Sequence, residues 1–217
     1  MNMFGPVRSG LMLAADLPTL DENLAVLDAV GDLIDVVKVN APLLYTEGLS
    51  AIGVLRSRGL PIFADIKVAD IPTTNAALIR AVRDAGAQAV MVHGIVGPDG
   101  IEDAVKTAGD DMGVIVQLEF THPGGVLYTQ PIALDIAGMA AMFDVMGFQA
   151  PGNRPDRVAE IRATVGPDPV LVCCGIGAQG GDFRAAIGAG GTYGIVGRSI
   201  YLAPDPRQAA ETALGLA

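Results

Sequence analysis

The sequence predicts a (β/α)₈ barrel, and three observations lead to that fold. Eight short apolar runs begin 23 to 29 residues apart along the 217-residue chain. Most of these runs are apolar on successive positions, which is typical of parallel strands covered on both faces. Amphipathic segments with helix signals lie between several of the runs. Eight alternations of strand and helix in roughly 200 residues fit the small end of the size range of this fold.

The predicted strands follow the apolar runs in chain order. They are Gly10–Asp16, Asp35–Asn40, Pro61–Lys67, Ala89–His93, Gly113–Glu119, Met142–Ala150, Val170–Ile176 and Tyr193–Ser199. The competing fold is a doubly wound open sheet, which usually has fewer strands and a Gly-rich phosphate turn after the first one. Here the first strand ends in Ala15-Asp16-Leu17-Pro18, without that glycine pattern. No linker or change of composition marks a boundary, so a single domain over residues 1–217 is expected.

The helices between the strands are predicted from apolar spacing and from end signals. Asp21–Asp32 carries leucines and valine at helical spacing, and Thr73–Gly86 closes on a glycine that is typical of a helix end. Asp156–Gly166 repeats this pattern. Weaker or shorter helices are predicted near Pro131–Met139 and Asp182–Ala189.

Composition and charge narrow the class of protein. Apolar residues make up 51% of the chain and charged residues 18%, so a large core is expected and global disorder is not. Fourteen basic residues against 24 acidic ones leave a net charge of −10 and no basic run, which disfavours nucleic acids and anionic membranes as partners. The two cysteines, Cys173 and Cys174, are adjacent and form no metal or disulfide pattern. A soluble protein of the reducing cytoplasm is expected.

Charged residues lie at the ends of three consecutive predicted strands, where barrels of this kind hold their active sites. Asp16 ends the first strand, Lys38 lies in the second, and Asp65 and Lys67 end the third. A charge in an apolar strand is costly unless it is paired or used. The alternative is a ring of salt bridges that closes the barrel, but four such charges together favour an active site.

The sharpest motif is Asp65-Ile66-Lys67-Val68-Ala69-Asp70-Ile71-Pro72. Because strand side chains alternate, Asp65 and Lys67 are expected on one face, with Asp70 in the loop that follows. A lysine held and oriented by carboxylates suits a proton donor to a carbanion-like centre.

A phosphate site is predicted after the seventh and eighth strands. Barrels often bind phosphate there with backbone N–H groups and a helix N-terminus. The run Gly177-Ala178-Gln179-Gly180-Gly181 is small enough to close over a ligand, and Arg198 offers a planar fork to phosphate oxygens. The alternative interpretation is a plain Gly-rich turn.

Essentially the whole chain resembles the orotidine 5′-monophosphate decarboxylase family in its compact archaeal/bacterial form. The D-x-K-x-x-D-I-P segment followed by Thr74-Asn75 carries the likeness most specifically. The other matching positions are Asp16, Lys38, Thr121-His122-Pro123-Gly124, Gly175–Gly181 and Val196-Gly197-Arg198-Ser199.

The resemblance implies the conversion of orotidine 5′-monophosphate to UMP and CO₂, the last step of de novo pyrimidine biosynthesis, with no metal and no organic cofactor. It implies that Lys67 protonates pyrimidine C6 and that Asp65 lies beside the substrate carboxylate. Lys38 belongs to the same chain of charges and, with Asp16, would bind ribose hydroxyls.

The same resemblance assigns the remaining substrate contacts. Thr121 would read the pyrimidine edge, and Ile176 would form an apolar wall under the loop. Gln179 would reach both phosphate and base, while Gly197 and Arg198 would lie at the phosphate.

A homodimer with shared active sites is also implied. In the family, the second aspartate of the motif enters the active site of the other subunit with the following isoleucine and threonine. These residues correspond here to Asp70, with a catalytic role, and to Ile71 and Thr74, with substrate-binding roles.

Two positions depart from the family pattern. Thr121 stands where many relatives have serine, and Cys174 stands where they commonly have proline. The resemblance therefore does not determine the shape of the base pocket. The nearest rival is a Mg²⁺-dependent 3-keto-L-gulonate 6-phosphate decarboxylase or hexulose-phosphate synthase. Such enzymes place an acidic metal ligand where this chain has Lys38, and a cation there would repel Mg²⁺. A barrel that binds a nucleotide without turnover is the other alternative, disfavoured by the intact set of charges.

Overall fold

The computed structural model describes residues 1–216 and forms a closed barrel of eight parallel strands, β1 to β8, in chain order. Residues Leu11 and Gly194 are paired where β8 meets β1, which closes the barrel and rules out an open sheet. The strands are β1 Leu11–Ala15, β2 Val36–Asn40, β3 Ile62–Val68, β4 Ala89–His93, β5 Gly113–Gln117, β6 Gly147–Pro151, β7 Val170–Cys174 and β8 Tyr193–Val196. The predicted fold class is confirmed.

Helices surround the barrel within residues 1–216, and none of them is both long and apolar enough to cross a membrane. They are α1 Leu20–Val30, α2 Ala41–Glu47, α3 Ser50–Arg56, α4 Pro72–Asp84, α5 Gly97–Ala108, α6 Pro123–Tyr128, α7 Gln130–Ala140, α8 Pro155–Val165, α9 Phe183–Gly188, α10 Arg198–Tyr201 and α11 Pro206–Leu214. The five predicted helical segments correspond to α1, α4, α7, α8 and α9, and the others were not predicted.

The sixth strand begins later than predicted. Its apolar run starts at Met142, whereas β6 starts at Gly147. Met142 N donates to Met139 O, and Phe143 N donates to Ala140 O, so this stretch completes the end of α7. Met142 is 75% exposed. An apolar run alone does not distinguish a helix end from a buried strand.

The N-terminal end of the barrel is filled by aromatic side chains. Phe4 precedes β1 and packs edge-on against Phe63 and Tyr193, with ring centroids 6.1 and 5.8 Å away. Asn2 Nδ2 donates to the Tyr193 hydroxyl at 2.9 Å. Packing therefore fills this end of the barrel.

Candidate active site

A pocket of about 230 Å³ lies at the carboxyl ends of the strands. Its lining includes Asp16, Lys38, Asp65, Lys67, Thr121, Ile176, Gln179, Gly197 and Arg198, all of which were predicted as site residues. The charges of three strands therefore face one cavity. The four charged side chains also form salt bridges with each other. The salt bridges considered above as an alternative are therefore present, and they hold the charged groups in place at the pocket.

Lys38 is the buried centre of this charge cluster. Its Nζ lies 3.3 Å from Asp16 Oδ2 and 3.4 Å from Asp65 Oδ2. Burial alone would lower the pKa of Lys38, but the carboxylates of Asp65 and Asp16 outweigh it, so the pKa is raised. The ammonium is therefore charged at neutral pH and fixes both carboxylates at the wall of the pocket.

Lys67 is ion-paired with Asp65 but is more accessible than Lys38. Its Nζ lies 2.8 Å from Asp65 Oδ1, and its side chain is 36% exposed against 5% for Asp65. The backbone of Lys67 has φ 49°, the left-handed region that a lysine rarely adopts. The register of β3 on β4 shifts between Ala64 and Val68. Regular strand alternation, on which the prediction was based, is therefore replaced here by a bulge that still turns both side chains into the pocket.

Asp16 has one oxygen available to a ligand. Oδ2 contacts Lys38, whereas the buried Oδ1 has no hydrogen-bond partner among residues 1–216. A buried carboxylate oxygen without a donor is costly, and a hydroxyl of a bound molecule would satisfy it.

The loop after β7 forms a compact turn beside the pocket. Gly177 N donates to Gly181 O at 2.8 Å, and Gly180 N donates to Gly177 O at 2.7 Å. Gly177 has φ 72°, and a Cβ added there would collide with the side chain of Ser199 in α10. The exposed Arg198 begins the same helix and lines the pocket.

One hydrogen bond spans the mouth of the pocket. The Thr121 hydroxyl, in the loop after β5, donates to Gln179 Oε1, in the loop after β7, at 2.7 Å. The methyl group of Thr121 does not prevent this contact. Asn153 Nδ2 donates to Thr121 O at 3.1 Å and fixes the loop from below.

Glu119 anchors the arginines that support this mouth. It is fully buried, and its Oε1 accepts from Arg154 Nη2 at 2.7 Å while its Oε2 accepts from Arg157 Nε at 3.1 Å. Arg154 Nη2 also donates to Phe120 O at 2.7 Å. Glu119 therefore holds two arginine side chains beside the mouth of the pocket.

Two other polar side chains near the pocket, those of His93 and Cys174, have shifted pKa values. His93 is buried, and its Nδ1 accepts from Ile95 N at 3.2 Å. Burial and the nearby charge of Lys67 lower the pKa of His93. Cys174 lines the pocket, and burial together with Asp65 raises the pKa of its thiol to about 11, so the thiol is protonated at neutral pH.

Three predicted site residues do not line the pocket of their own chain. Asp70, Ile71 and Thr74 are exposed at the start of α4. Asp70 Oδ1 accepts from Ile71 N at 2.7 Å, and the Asn75 side chain binds both backbone groups of Asp70, so this corner is rigid. Their predicted contribution to a partner's active site stays a prediction.

Several lining residues were not predicted as site residues. They include Ala14, Asn40, Met91, Gln117, Phe120, Gln149, Ile195 and Tyr201. The two glutamines carried a usable signal, because each is a polar residue inside an otherwise apolar strand, in GVIVQ and GFQAP.

The parallel barrel and the charged pocket at its carboxyl end define the chain as a TIM-barrel enzyme. The family described as Orotidine 5′-phosphate decarboxylase / HUMPS matches residues 9–213, and the chain belongs to it. A relative from Methanococcoides burtonii named orotidine 5′-phosphate decarboxylase is 40% identical over 94% of this chain and 95% of its own length. The family and this relative confirm the prediction that the chain is a carboxy-lyase.

Solved structures agree in both fold and family. The crystal structure of orotidine 5′-phosphate decarboxylase from Pyrococcus horikoshii has a TM-score of 0.86 and 37% identity, and covers 94% of this chain and 97% of that one. The enzyme from Methanocaldococcus jannaschii, complexed with the inhibitor BMP, has a TM-score of 0.89 and 33% identity, with coverage of 95% and 97%.

Proposed function

We propose that this chain converts orotidine 5′-monophosphate to UMP and CO₂, the last step of de novo pyrimidine biosynthesis. One observation carries the proposal: two ammonium groups and two carboxylates from β2, β3 and the end of β1 face a single pocket. Membership of the family supports the same reaction.

In the proposed complex, the ribose lies beside Asp16 and Lys38. Its hydroxyls donate to the free oxygen of Asp16 and accept from Lys38. The phosphate lies beside Arg198 and the backbone at Gly197, where a guanidinium fork matches phosphate oxygens. Phosphate binding then helps to hold the glycine loop closed over the substrate.

The pyrimidine ring in this complex lies between the charges and the mouth of the pocket. Thr121 and Gln179 read its polar edge, since they already meet across the mouth. Ile176, buried under the loop, provides an apolar wall for the ring.

The proposed chemical step uses Lys67 as the proton donor. The substrate carboxylate lies beside Asp65, and the bond between C6 and the carboxyl carbon breaks to release CO₂. The electron pair left on C6 takes a proton from the Lys67 ammonium, and the resulting amine regains a proton from water. The positive charge of Lys67 stabilises the developing carbanion, because it is held in place before the reaction begins.

Metal independence is part of the proposal. Within residues 1–216, no group of three or more His, Cys, Asp and Glu side chains is arranged to hold a metal ion. Lys38 contacts both Asp16 and Asp65, the carboxylates that a cation would otherwise use. A Mg²⁺-dependent sugar-phosphate activity is therefore the less favoured function within the family.

A homodimer with shared active sites is proposed from the rim at the start of α4. Ile71 is 64% exposed there, beside the exposed Asp70 and Thr74. Insertion of this corner into a partner's pocket would bury the isoleucine and add a carboxylate to that site. The expected location in the cytoplasm stays a prediction.

The direct test follows the ultraviolet absorbance of orotidine 5′-monophosphate incubated with the purified protein, with and without EDTA. We expect conversion to UMP at the same rate in both samples. Loss of activity in EDTA and recovery with Mg²⁺ would support the metal-dependent rival, and no turnover in either sample would overturn the proposed function.

A further inference from the structure

Two glutamines at the buried end of the pocket are not used by the proposed mechanism. Gln117 on β5 and Gln149 on β6 are register partners and are 3% and 2% exposed. Both line the same pocket as Asp65 and Lys67. The interior of a barrel of this kind is usually filled by bulky apolar side chains, so two adjacent amides there call for a physical reason.

The orientation of Gln149 is fixed by the backbone. Its Oε1 accepts from Glu119 N at 3.2 Å. The amide nitrogen is therefore the end of Gln149 that is left for another partner, and Gln149 lines the pocket together with Cys174. Gln149 thus contributes N–H groups to the buried side of the pocket.

Gln117 is incompletely satisfied without a ligand. Its Oε1 is buried and has no hydrogen-bond partner among residues 1–216. Leaving a buried polar atom unpaired costs about 1–3 kcal/mol. The oxygen and nitrogen of a side-chain amide have nearly the same shape, so rotation of the amide presents either a donor or an acceptor without disturbing the packing.

The charged groups of the pocket are already paired with each other, so a substrate carboxylate can gain further hydrogen bonds from neutral N–H donors. The ammonium groups of Lys38 and Lys67 already contact the carboxylates of Asp16 and Asp65. A substrate carboxylate placed beside Asp65 adds a third negative charge to two positive ones. Amide N–H groups bind such a carboxylate without adding charge to the cluster.

We infer that Gln117, held beside Gln149, is a specificity-determining residue that hydrogen-bonds the carboxylate on the reacting carbon of the nucleotide. This inference rests on the proposed function and names the group that the buried end of the pocket recognises. A hydrogen bond to a carboxylate is charge-assisted and weakens as neutral CO₂ forms. The amide pair therefore contributes to substrate binding and selectivity more than to the rate of the chemical step.

The test compares two ligands that differ only at this position. UMP carries hydrogen on C6, whereas the 6-carboxamide of UMP carries a neutral group with the shape of the carboxylate and loses no CO₂. Gln117→Met keeps an unbranched side chain of similar length and removes the amide. In calorimetric titrations, Gln117→Met should bind the carboxamide about tenfold more weakly than the wild type does, a difference equivalent to one hydrogen bond of about 1.4 kcal/mol. The affinity for UMP should change less than threefold.

Matched variants complete the design. Gln149→Met should also weaken binding of the carboxamide. Gln208→Met, on the exposed surface of α11, should leave the affinities for the carboxamide and for UMP as in the wild type. With the substrate itself, Gln117→Met should raise KM about tenfold while kcat does not fall. Gln117→Leu, a second apolar replacement, should give the same split.

The outcomes separate this inference from the proposed function. Equal weakening of both nucleotides, unchanged affinity for both, or a fall in kcat at constant KM overturns the role of Gln117. A wild-type protein that binds neither nucleotide overturns the proposed function, and the inference falls with it.

Discussion

The Nζ atom of Lys67 lies 2.8 Å from Oδ1 of Asp65, and the lysine backbone has φ 49°, the one positive φ of a non-glycine residue within 1–216. Backbone strain of this kind costs about 1–3 kcal/mol and persists only where the surrounding structure enforces it. Here the register shift of β3 on β4 accompanies the strain. An accessible ammonium next to a buried carboxylate is the arrangement that the proposed proton transfer requires.

Replacement of Lys38 should reveal how strongly the charge cluster is coupled. Lys38→Met leaves Asp16 and Asp65 facing the pocket without the buried cation between them. Removing one partner of a buried ion pair costs about 3–5 kcal/mol, because it leaves uncompensated charge. We expect a loss of about 3 kcal/mol in the free energy of unfolding at pH 7, measured by urea denaturation.

The pH dependence of that loss has a defined sign. The pKa of Lys38 is raised above 10.5 in the folded protein, mainly by Asp65 and Asp16 against the opposing effect of burial. The stabilisation is therefore complete below pH 10.5 and is lost as the pH rises through the folded pKa. Arg58→Met, which breaks the exposed pair with Asp28, is the control and should change stability far less. Equal effects of the two variants would contradict the account.

His93 should make stability sensitive to mild acid. Burial, and then the charge of Lys67, lower the pKa of His93 below its usual 6.5. Its stabilising contribution is present above pH 6.5 and is lost as the pH falls through the lower folded pKa. Protonation of Nδ1 also removes the acceptor for Ile95 N. His93→Asn, which can keep a capping oxygen, should therefore lose less stability between pH 7 and pH 5 than the wild type.

The matched control for this prediction is His122→Asn. His122 is an exposed histidine that caps α6 by accepting from Gly124 N at 3.1 Å. Thermal unfolding of the three proteins at both pH values makes the comparison. If His93→Asn and wild type lose the same stability in acid, the buried imidazole is not responsible.

The glycine loop should tolerate a methyl group at one position and not at another. Gly177 and Gly180 both have positive φ, 72° and 86°, but only at Gly177 would a Cβ meet Ser199. Gly180→Ala should cost about 1 kcal/mol of backbone strain. Gly177→Ala adds a steric collision and should also raise KM at least tenfold, because the loop can no longer pack on α10. Identical KM values for the two variants would argue against a role of this packing in substrate binding.

The barrel and most of the pocket follow from local sequence patterns. Regular spacing of apolar runs predicts the strands, and charges at their ends predict the cavity that Asp16, Lys38 and Asp65 share. The late start of β6 could not be predicted, because Met142 is apolar whether it ends a helix or begins a strand. The left-handed backbone of Lys67 depends on the pairing of β3 with β4, which is a tertiary contact.

The amide pair shows a different limit of sequence reasoning. Gln149 is a polar residue in an apolar strand, and that signal was available from the sequence. Its importance depends on the contact with Glu119 N, just after the neighbouring strand β5, and on the unpaired oxygen of Gln117. Similarly, Asp70 and Ile71 are predicted to act in the active site of a second subunit, and such a contact lies outside a single chain.

The most direct test of the central claim is turnover of orotidine 5′-monophosphate by the wild type and by Lys67→Met. Lys106→Met is the matched control, since Lys106 pairs with Glu102 on the surface of α5. We expect the wild type and the control to form UMP at similar rates, and Lys67→Met to lose at least about 10³-fold in kcat while remaining folded, because a positioned proton donor contributes about 10²–10⁴-fold and its charge also stabilises the carbanion. Turnover by Lys67→Met at the wild-type rate would contradict the account.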